Sequence, residues 1–332
     1  MAMRALLAVS CFPLVLSLTA SDYTRLVAGD ALVELLPAES KEVALRAATR
    51  IDAHPQRLVQ WTRRIEELSK GRYVSAIGRF SDPPRLGDLD ALSLDDEDLT
   101  DVRRCRPGKC AVKLSDAEIA RMREAIAAAG VEWKTAAQQT FRTIVLARAE
   151  RYLAEGHTAS VSYHDARTPV LLDSEFAAVA SEVALAHPRL FALTNFLSLY
   201  PQGDMPDVES FLYWSKESLG AKPIVSITHV AMIESRDARV TEAIVAKKQV
   251  YASHYIHASL SFTAISASPD GAHRYLVYLN RSRSDVFDGI FGGFIRRTIA
   301  RRLRAEAPQA LQALRERLES VPPREWVVGG RW

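Results

Sequence analysis

The sequence predicts an α+β protein that combines an antiparallel sheet, a long C-terminal helix and a large helical insertion. The last third of the chain is rich in strand-like segments separated by turn residues, at 208–214, 224–233, 244–265 and 275–280. Segments that follow one another in this way pair most simply as an antiparallel meander. By contrast, residues 115–200 are mostly helical in pattern, and apolar side chains recur at intervals of three and four along 291–318.

The N-terminal segment has the composition of an export signal. Arg4 precedes an apolar run at 5–20, which is short for a membrane span and stands where a signal peptide would. We therefore predict a signal peptide at 1–20 and a periplasmic or secreted protein, with 21–40 as an N-terminal extension. An N-terminal anchor, a buried helix and a lipid attached to Cys11 are the alternatives.

The following elements open what we interpret as a single domain at 41–320, with a short tail at 321–332. Residues 41–52 alternate as a strand does, and 73–80 are a second strand-like segment. Between them, Leu58, Trp61 and Ile65 are spaced as on one side of a helix that covers 56–70. That side of the helix is expected to face the core.

Cys105 and Cys110 are the two cysteines that remain after the signal segment. Two thiols in an oxidising compartment usually pair, and the Pro107-Gly108 turn between them allows the chain to reverse. We therefore predict a disulfide that closes a small structural loop. A zinc site is disfavoured because no further cysteine and no histidine is near this pair.

The predicted insertion, at 115–200, begins with the pattern of a capping box. Ser115 and Glu118 have the spacing of that motif, and apolar residues follow at helical intervals. The acidic cluster at 95–98 lacks the spaced ligands and the central glycine of a calcium loop. We interpret this cluster as a solvated surface segment.

The order of these elements resembles the START-like helix-grip superfamily. The matching stretches are 49–55, which reads Thr-Arg-Ile-Asp-Ala-His-Pro and leads into a helix, and the long run 208–318. The helical stretch at 115–200 departs from the pattern and has to be an insertion or a second lobe. The resemblance implies a curved sheet that grips the terminal helix around a cavity for a lipid, a sterol or an aromatic small molecule. It implies no catalytic residue.

Two histidines stand among apolar residues on the predicted strands. His229 shares one side of the strand 224–233 with four aliphatic or small residues, and alternation along 250–265 places His254 on the apolar side. We predict that His229 and His254 look into one interior and contact a ligand there, together with Trp214. Hydrogen-bonded core histidines without a ligand are the alternative.

Arg281 and Arg283 follow the last predicted strand and are expected to lie near Ile256 and His257 across a hairpin. Guanidinium groups bind carboxylates and phosphates, so both arginines are candidates for receiving an anionic headgroup. Solvated charges at a sheet edge are the alternative. The basic stretch at 294–304 fits either a transient contact with an anionic membrane surface or a helix that packs on the sheet.

Composition and motifs narrow the function classes. The chain is 48% hydrophobic and 25% charged, as globular proteins are, and its net charge of +3 gives no reason to expect nucleic acid as a partner. The sequence has no Gly-x-Ser-x-Gly, His-Glu-x-x-His or nucleotide-binding glycine motif, so we predict no metal and no cofactor. The leading hypothesis is an exported carrier of an apolar small molecule or lipid. An exported hydrolase or isomerase that uses the two histidines, and a non-catalytic envelope interaction protein, are the alternatives.

Overall fold

The computed structural model describes residues 20–156, 162–184, 188–218, 220, 222–235, 242–268, 271–288 and 291–320. The predicted signal peptide, apart from its last residue, therefore lies outside the described residues. The same holds for Cys11 and for the predicted tail at 321–332.

A curved antiparallel sheet of eight strands dominates the fold, as the sequence predicts. Across the sheet the strands follow the order β1-β2-β10-β9-β8-β7-β6-β3, and β4 and β5 pair separately. Their bounds are β1 Leu32–Leu36, β2 Glu42–Arg50, β3 Val74–Arg79, β4 Ser162–Tyr163, β5 Val170–Leu171, β6 Glu209–Glu217, β7 Ile224–Glu234, β8 Glu242–Ala252, β9 Ile256–Ala267 and β10 Arg274–Ser284.

The predicted meander of the last third is confirmed. Strands β6 to β10 pair consecutively, and β10 then pairs with β2, while β3 joins the sheet beside β6. The register places Arg283 opposite Ala258 and Ser284 opposite Ile256, so the predicted neighbourhood of this segment is also confirmed.

The helices of the described part agree with the predicted helical middle region and C-terminal helix. Ser115 forms the predicted capping box, because its Oγ accepts from Glu118 N and its N–H donates to Glu118 Oε2. The predicted helix at 56–70 is divided at Arg64, whose backbone leaves the helical conformation. The bounds are α1 Ala20–Val27, α2 Gln56–Arg63, α3 Ile65–Leu68, α4 Asp96–Arg104, α5 Asp116–Ala129, α6 Trp133–Glu155, α7 Leu172–Ala184, α8 Pro188–Leu199 and α9 Gly292–Glu319.

The two faces of the sheet are covered by different helices. Because side chains alternate along a strand, Val230 and Val245 belong to one face and Ile244 and Phe262 to the other. The first, which we call the α9 face, shares a core with α2, α3 and the end of α9. The second, which we call the insertion face, packs against helices α4 to α8.

Helix α9 packs tightly at only one of its ends. Leu311 and Leu318, in its second half, are buried in the core that it shares with α2 and the sheet. Ile295, Ile299 and Leu303, in its first half, are only half-buried. The first half therefore lies over the sheet without being fully packed against it.

Contacts with both edges of the sheet hold α9 in place. Near one edge, Arg296 donates hydrogen bonds to the carbonyl oxygens of Ala38 and Glu39, which connect β1 to β2. Near the other edge, the Tyr73 hydroxyl donates to Glu306 Oε2 over 3.0 Å, and Tyr73 directly precedes β3. Helix α9 thus contacts segments that adjoin both edge strands of the curved sheet.

The strand prediction at 244–265 was wrong at one point. Residues 253–255 leave the strand and divide it into β8 and β9, and Tyr255 adopts a φ of 59°. A left-handed backbone at a residue other than glycine has no clear signal in sequence. Ser253 remains tied to β7 through the backbone of Val225, so the chain reverses immediately after a paired residue.

The segment at 21–40 contributes to the sheet, which the prediction of a simple extension did not include. It contains α1 and the edge strand β1, which pairs along its whole length with β2. Leu26 and Leu32 are buried in a small core with Ala48, Tyr275 and Val277.

The predicted disulfide between Cys105 and Cys110 is present, with their Cα atoms 4.4 Å apart. Arg106 and Lys109 pair within the loop, and Gly108 has the positive φ of 75° that the turn requires. In the ranges given above, no helix is long and apolar enough to cross a membrane.

Candidate functional site

The α9 face of the central strands carries a polar floor, which together with the first half of α9 forms what we call the sheet–helix groove. Alternation on β8, β9 and β10 places polar side chains toward α9 along most of this floor, away from the apolar core at the α2 end. They are Lys247 and Gln249 on β8, Ser259, Ser261 and Thr263 on β9, and Tyr278, Asn280 and Ser282 on β10.

The floor is partly accessible although it lies in the middle of the sheet. Each of these eight side chains is half-buried, whereas their insertion-face neighbours Lys248, Leu260 and Phe262 are fully buried. Central strands beneath a packed helix would be buried on both faces. The difference indicates that this part of the α9 face is incompletely covered.

Lys247 is the cation of this floor. Its amine lies 5.7 Å from the centre of the Tyr213 ring, in the range of a cation–π contact. Burial lowers the Lys247 pKa, and the charge of Glu217 offsets only part of that effect. Among the residues that the structure describes, no carboxylate lies within ion-pair distance of this amine.

Two tyrosines on the α9 face have raised pKa values. Burial raises the pKa of Tyr278 to about 12, an effect that Ser261 partly offsets. Burial also raises the pKa of Tyr213 above its ordinary value, with a further increase from Glu217. Phenols at an open sheet surface would not be desolvated in this way. The raised pKa values agree with the partial burial of the floor.

Most other polar groups of the floor are hydrogen-bonded to one another. Ser259 and Ser282 approach to 2.9 Å, and Asn280 contacts both of them at 3.2 and 2.9 Å. Gln249 differs, because its Oε1 atom is buried and has no hydrogen-bond partner among the described residues. Buried polar atoms are normally satisfied, so an unpaired amide beside an unpaired amine marks the part of the floor that is suited to a ligand.

His229 lies on the insertion face and does not border the groove. Its side chain is 1% exposed, its Nδ1 atom is 2.8 Å from the Tyr152 hydroxyl, and the Tyr200 ring packs edge-on at 4.5 Å. Burial first, and the charge of Lys248 second, lower the pKa of His229 to about 3. This imidazole is therefore neutral at physiological pH and forms part of an aromatic core.

Lys248 is the cross-strand neighbour of His229 and is also enclosed. Its amine donates to the carbonyl oxygen of Leu197 over 2.5 Å and lies 4.1 Å from the Phe176 ring centre. Leu197 belongs to the last turn of α8, where carbonyl groups lack partners within the helix. Lys248 thus caps α8 from the core side.

His254 lies in the connection between β8 and β9, at a distance from His229 in the fold. Its Nδ1 atom is 2.9 Å from the carbonyl oxygen of Ala111. Its Nε2 atom is 3.1 Å from Asp98 Oδ1, close enough for an ion pair but poorly aligned for a hydrogen bond. Its Nδ1 atom thus has a hydrogen-bond partner inside the protein, Nε2 has only the charge of Asp98, and both side chains are buried. The two histidines thus contact different partners, and a ligand contact by either of them stays a prediction.

Asp98 departs from the interpretation of the acidic cluster at 95–98 as solvated surface, whereas the other three residues of the cluster are exposed. Its side chain is 3% exposed, and Lys222 lies 3.8 Å away. Asp95 contacts Lys216 and Asp96 contacts Lys134, so the start of α4 is attached to the rest of the fold through ion pairs. In the described part of the chain, no group of three or more His, Cys, Asp or Glu residues could hold a metal ion.

Arg281, Arg283 and Trp214 also point to the insertion face. Arg281 and Arg283 both contact Glu42 at 2.7 Å, and Arg283 also pairs with Glu175 of α7 at 2.7 Å. Their guanidinium groups are thus already neutralised by carboxylates. This differs from the predicted site for an anionic headgroup and from the alternative of solvated charges at a sheet edge. Trp214 is buried, and its Nε1 donates to the carbonyl oxygen of Asp88. None of the three borders the groove.

Sequence reasoning missed the floor residues because it assigned the apolar sides of the strands to the groove. The helical insertion needs an apolar surface to pack against, and it occupies that side of β7, β8 and β9. The polar side of these strands therefore faces α9. The repetition of polar residues on alternate positions of three adjacent strands was the available signal.

The outer side of the first half of α9 is basic and aromatic. Phe291 and Phe294 are 73% and 64% exposed. Four exposed arginines accompany them, and residues 291–304 contain no carboxylate; these are Arg297, Arg301, Arg302 and Arg304. Aromatic and basic side chains together are typical of helices that lie on anionic membranes.

Comparison with known proteins gives no family for this chain. No protein-family model matches it, and no curated protein matches it.

Proposed function

We propose that this protein binds and carries a small amphipathic molecule in the sheet–helix groove. The observation that carries the proposal is the half-buried polar floor of β8, β9 and β10 beneath α9, in a position where a packed core is expected. Ligand pockets are concave sites with an apolar lining and a few polar groups that fix orientation.

The two ends of the groove favour an amphipathic ligand. Toward α2, the α9 face becomes apolar through Val230, Met232 and Val245. The first half of α9 adds half-buried aliphatic side chains above the polar floor. A molecule with an apolar body and a polar head would match both surfaces. The proposed ligand is therefore an amphipathic member of the predicted class of apolar small molecules and lipids.

The geometry gives less support to a hydrolase or isomerase that uses the predicted histidines. A catalytic base must reach a proton of its substrate. His229 and His254 are buried, and their contacts are with core residues on the side of the sheet away from the groove.

Export and ligand exchange at a membrane are part of the proposal. The disulfide fits an oxidising compartment such as the periplasm or the extracellular space. The exposed Phe291 and Phe294 beside exposed arginines support transient contact with an anionic membrane surface, at the same half of α9 that covers the groove.

Filling the groove tests the proposal. The Ser261→Trp variant places a large ring on the central floor, so we expect it to lose most of the lipid or small molecule that the wild type acquires. Native mass spectrometry after incubation with vesicles of a bacterial envelope lipid extract measures the bound mass. Vesicles of zwitterionic lipid alone should load the wild type more slowly.

The Ser181→Trp variant is the matched control, because Ser181 is exposed on α7. It should load as the wild type does, and circular dichroism should show both variants to be folded. A wild type that acquires no bound mass, or a folded Ser261→Trp variant that loads normally, would contradict ligand binding in the groove.

A further inference from the structure

We infer that Lys247 is the anchor for a carboxylate, so that the ligand of the groove is an amphipathic monocarboxylic acid. This inference rests on the proposed function and specifies its ligand class. It begins from the position of Lys247, on the central strand β8, on the α9 face and half-buried within the polar floor.

Among the described residues, no ion-pair partner lies beside the half-buried Lys247 amine. Glu217 acts on it only from beyond ion-pair distance, and the Tyr213 ring at 5.7 Å offers a π face in place of a charge. An enclosed ammonium group is costly unless a negative charge or good acceptors compensate it.

Comparison with the buried lysines of the described residues makes Lys247 distinctive. Lys248 donates to the Leu197 carbonyl, Lys216 is bound by Asp95 and the Ser93 carbonyl, and Lys113 by Asp165 and Asp285. Each of these amines is satisfied inside the protein. In the described sheet, Lys216 and Lys248 have acceptors within the protein. Lys247 has none among the described residues, so a ligand would have to supply its acceptor.

The number of charges favours a carboxylate over a phosphate. One amine supplies one positive charge, and the Gln249 amide that follows it on the same face of β8 is neutral. The Gln249 amide has an unpaired Oε1 atom, and turning it over would present its NH₂ group to a ligand oxygen. A phosphate monoester carries nearly two charges and is usually bound by several cations.

Titration calorimetry with decanoate and methyl decanoate tests this inference, since the two probes share an apolar chain and differ in charge. We expect the wild type to bind decanoate about tenfold more tightly, as one charge-assisted hydrogen bond allows. The Lys247→Met variant should lose this preference and bind the ester about as well as the wild type does. Lys247→Arg should keep the preference because it keeps the charge.

The exposed Lys109 supplies the matched control, and Lys109→Met should behave as the wild type. Equal binding of acid and ester by the wild type would overturn the carboxylate inference and leave groove binding intact. A folded Lys247→Met variant that retains the preference would overturn the role of Lys247. If neither probe binds, groove binding of this ligand class fails together with the inference.

Discussion

Replacing Arg148 by Met should lower the free energy of unfolding by about 3–5 kcal/mol, the range for removing one partner of a buried ion pair. Arg148 of α6 forms two hydrogen bonds with Glu118 of α5, at 2.8 and 2.5 Å, and both side chains are largely buried. Without the guanidinium, the Glu118 carboxylate remains desolvated and uncompensated. Urea denaturation monitored by circular dichroism measures the loss.

An exposed ion pair provides the matched control for this substitution. Arg302 and Glu306 are four residues apart on the exposed surface of α9, where water screens the charges of an ion pair. Arg302→Met should therefore change the unfolding free energy little. A loss of similar size in both variants would show that the buried pair is not what joins α5 and α6.

Acid should destabilise the wild type through His229. The pKa of its imidazole is about 3 in the folded protein because of burial and the charge of Lys248, against about 6.5 when unfolded. Below pH 6.5, the unfolded chain therefore binds a proton on this imidazole. The folded chain does not bind that proton until the pH falls to about 3. The contribution of His229 to the free energy of unfolding is fully present above about pH 6.5. It is lost as the pH drops toward 3, and the loss is about 3 kcal/mol at pH 4.

The His229→Gln variant removes this contribution while keeping a side chain able to accept from Tyr152. We expect the unfolding free energy of the wild type to fall by about 3 kcal/mol more than that of the variant between pH 7.5 and pH 4. His54 is exposed, so His54→Gln should follow the wild type. Parallel pH profiles of wild type and His229→Gln would contradict the assignment of His229 to a dry core.

Sequence pattern was sufficient for most of the architecture. Alternation in β6, β7 and β10, the capping box at Ser115 and the helical stripe of α9 are local signals, and each element formed where its signal lies. The break at 253–255 and the edge strand β1 were missed for different reasons. The break depends on one backbone angle at Tyr255, and β1 is stabilised by pairing with β2, which is a tertiary contact.

The candidate site was harder to predict because alternation identifies two sides of a strand but not what covers each side. His229 was correctly grouped with its aliphatic neighbours, yet that side packs against α6 and α8 and not against α9. Arg281 and Arg283 were correctly placed near the β9 hairpin, but Glu42 and Glu175, which neutralise them, come from distant segments. Such partners are visible only in three dimensions.

Photo-crosslinking with a fatty acid that carries a diazirine on its chain tests the central claim most directly, because it reports where the ligand lies. Peptide mapping by mass spectrometry should find the adducts on β8, β9, β10 and the first half of α9, and the Ser261→Trp variant should lose them. Adducts confined to α6, α7 and α8, or scattered over the surface and unaffected by that variant, would contradict a ligand-binding groove between the sheet and α9.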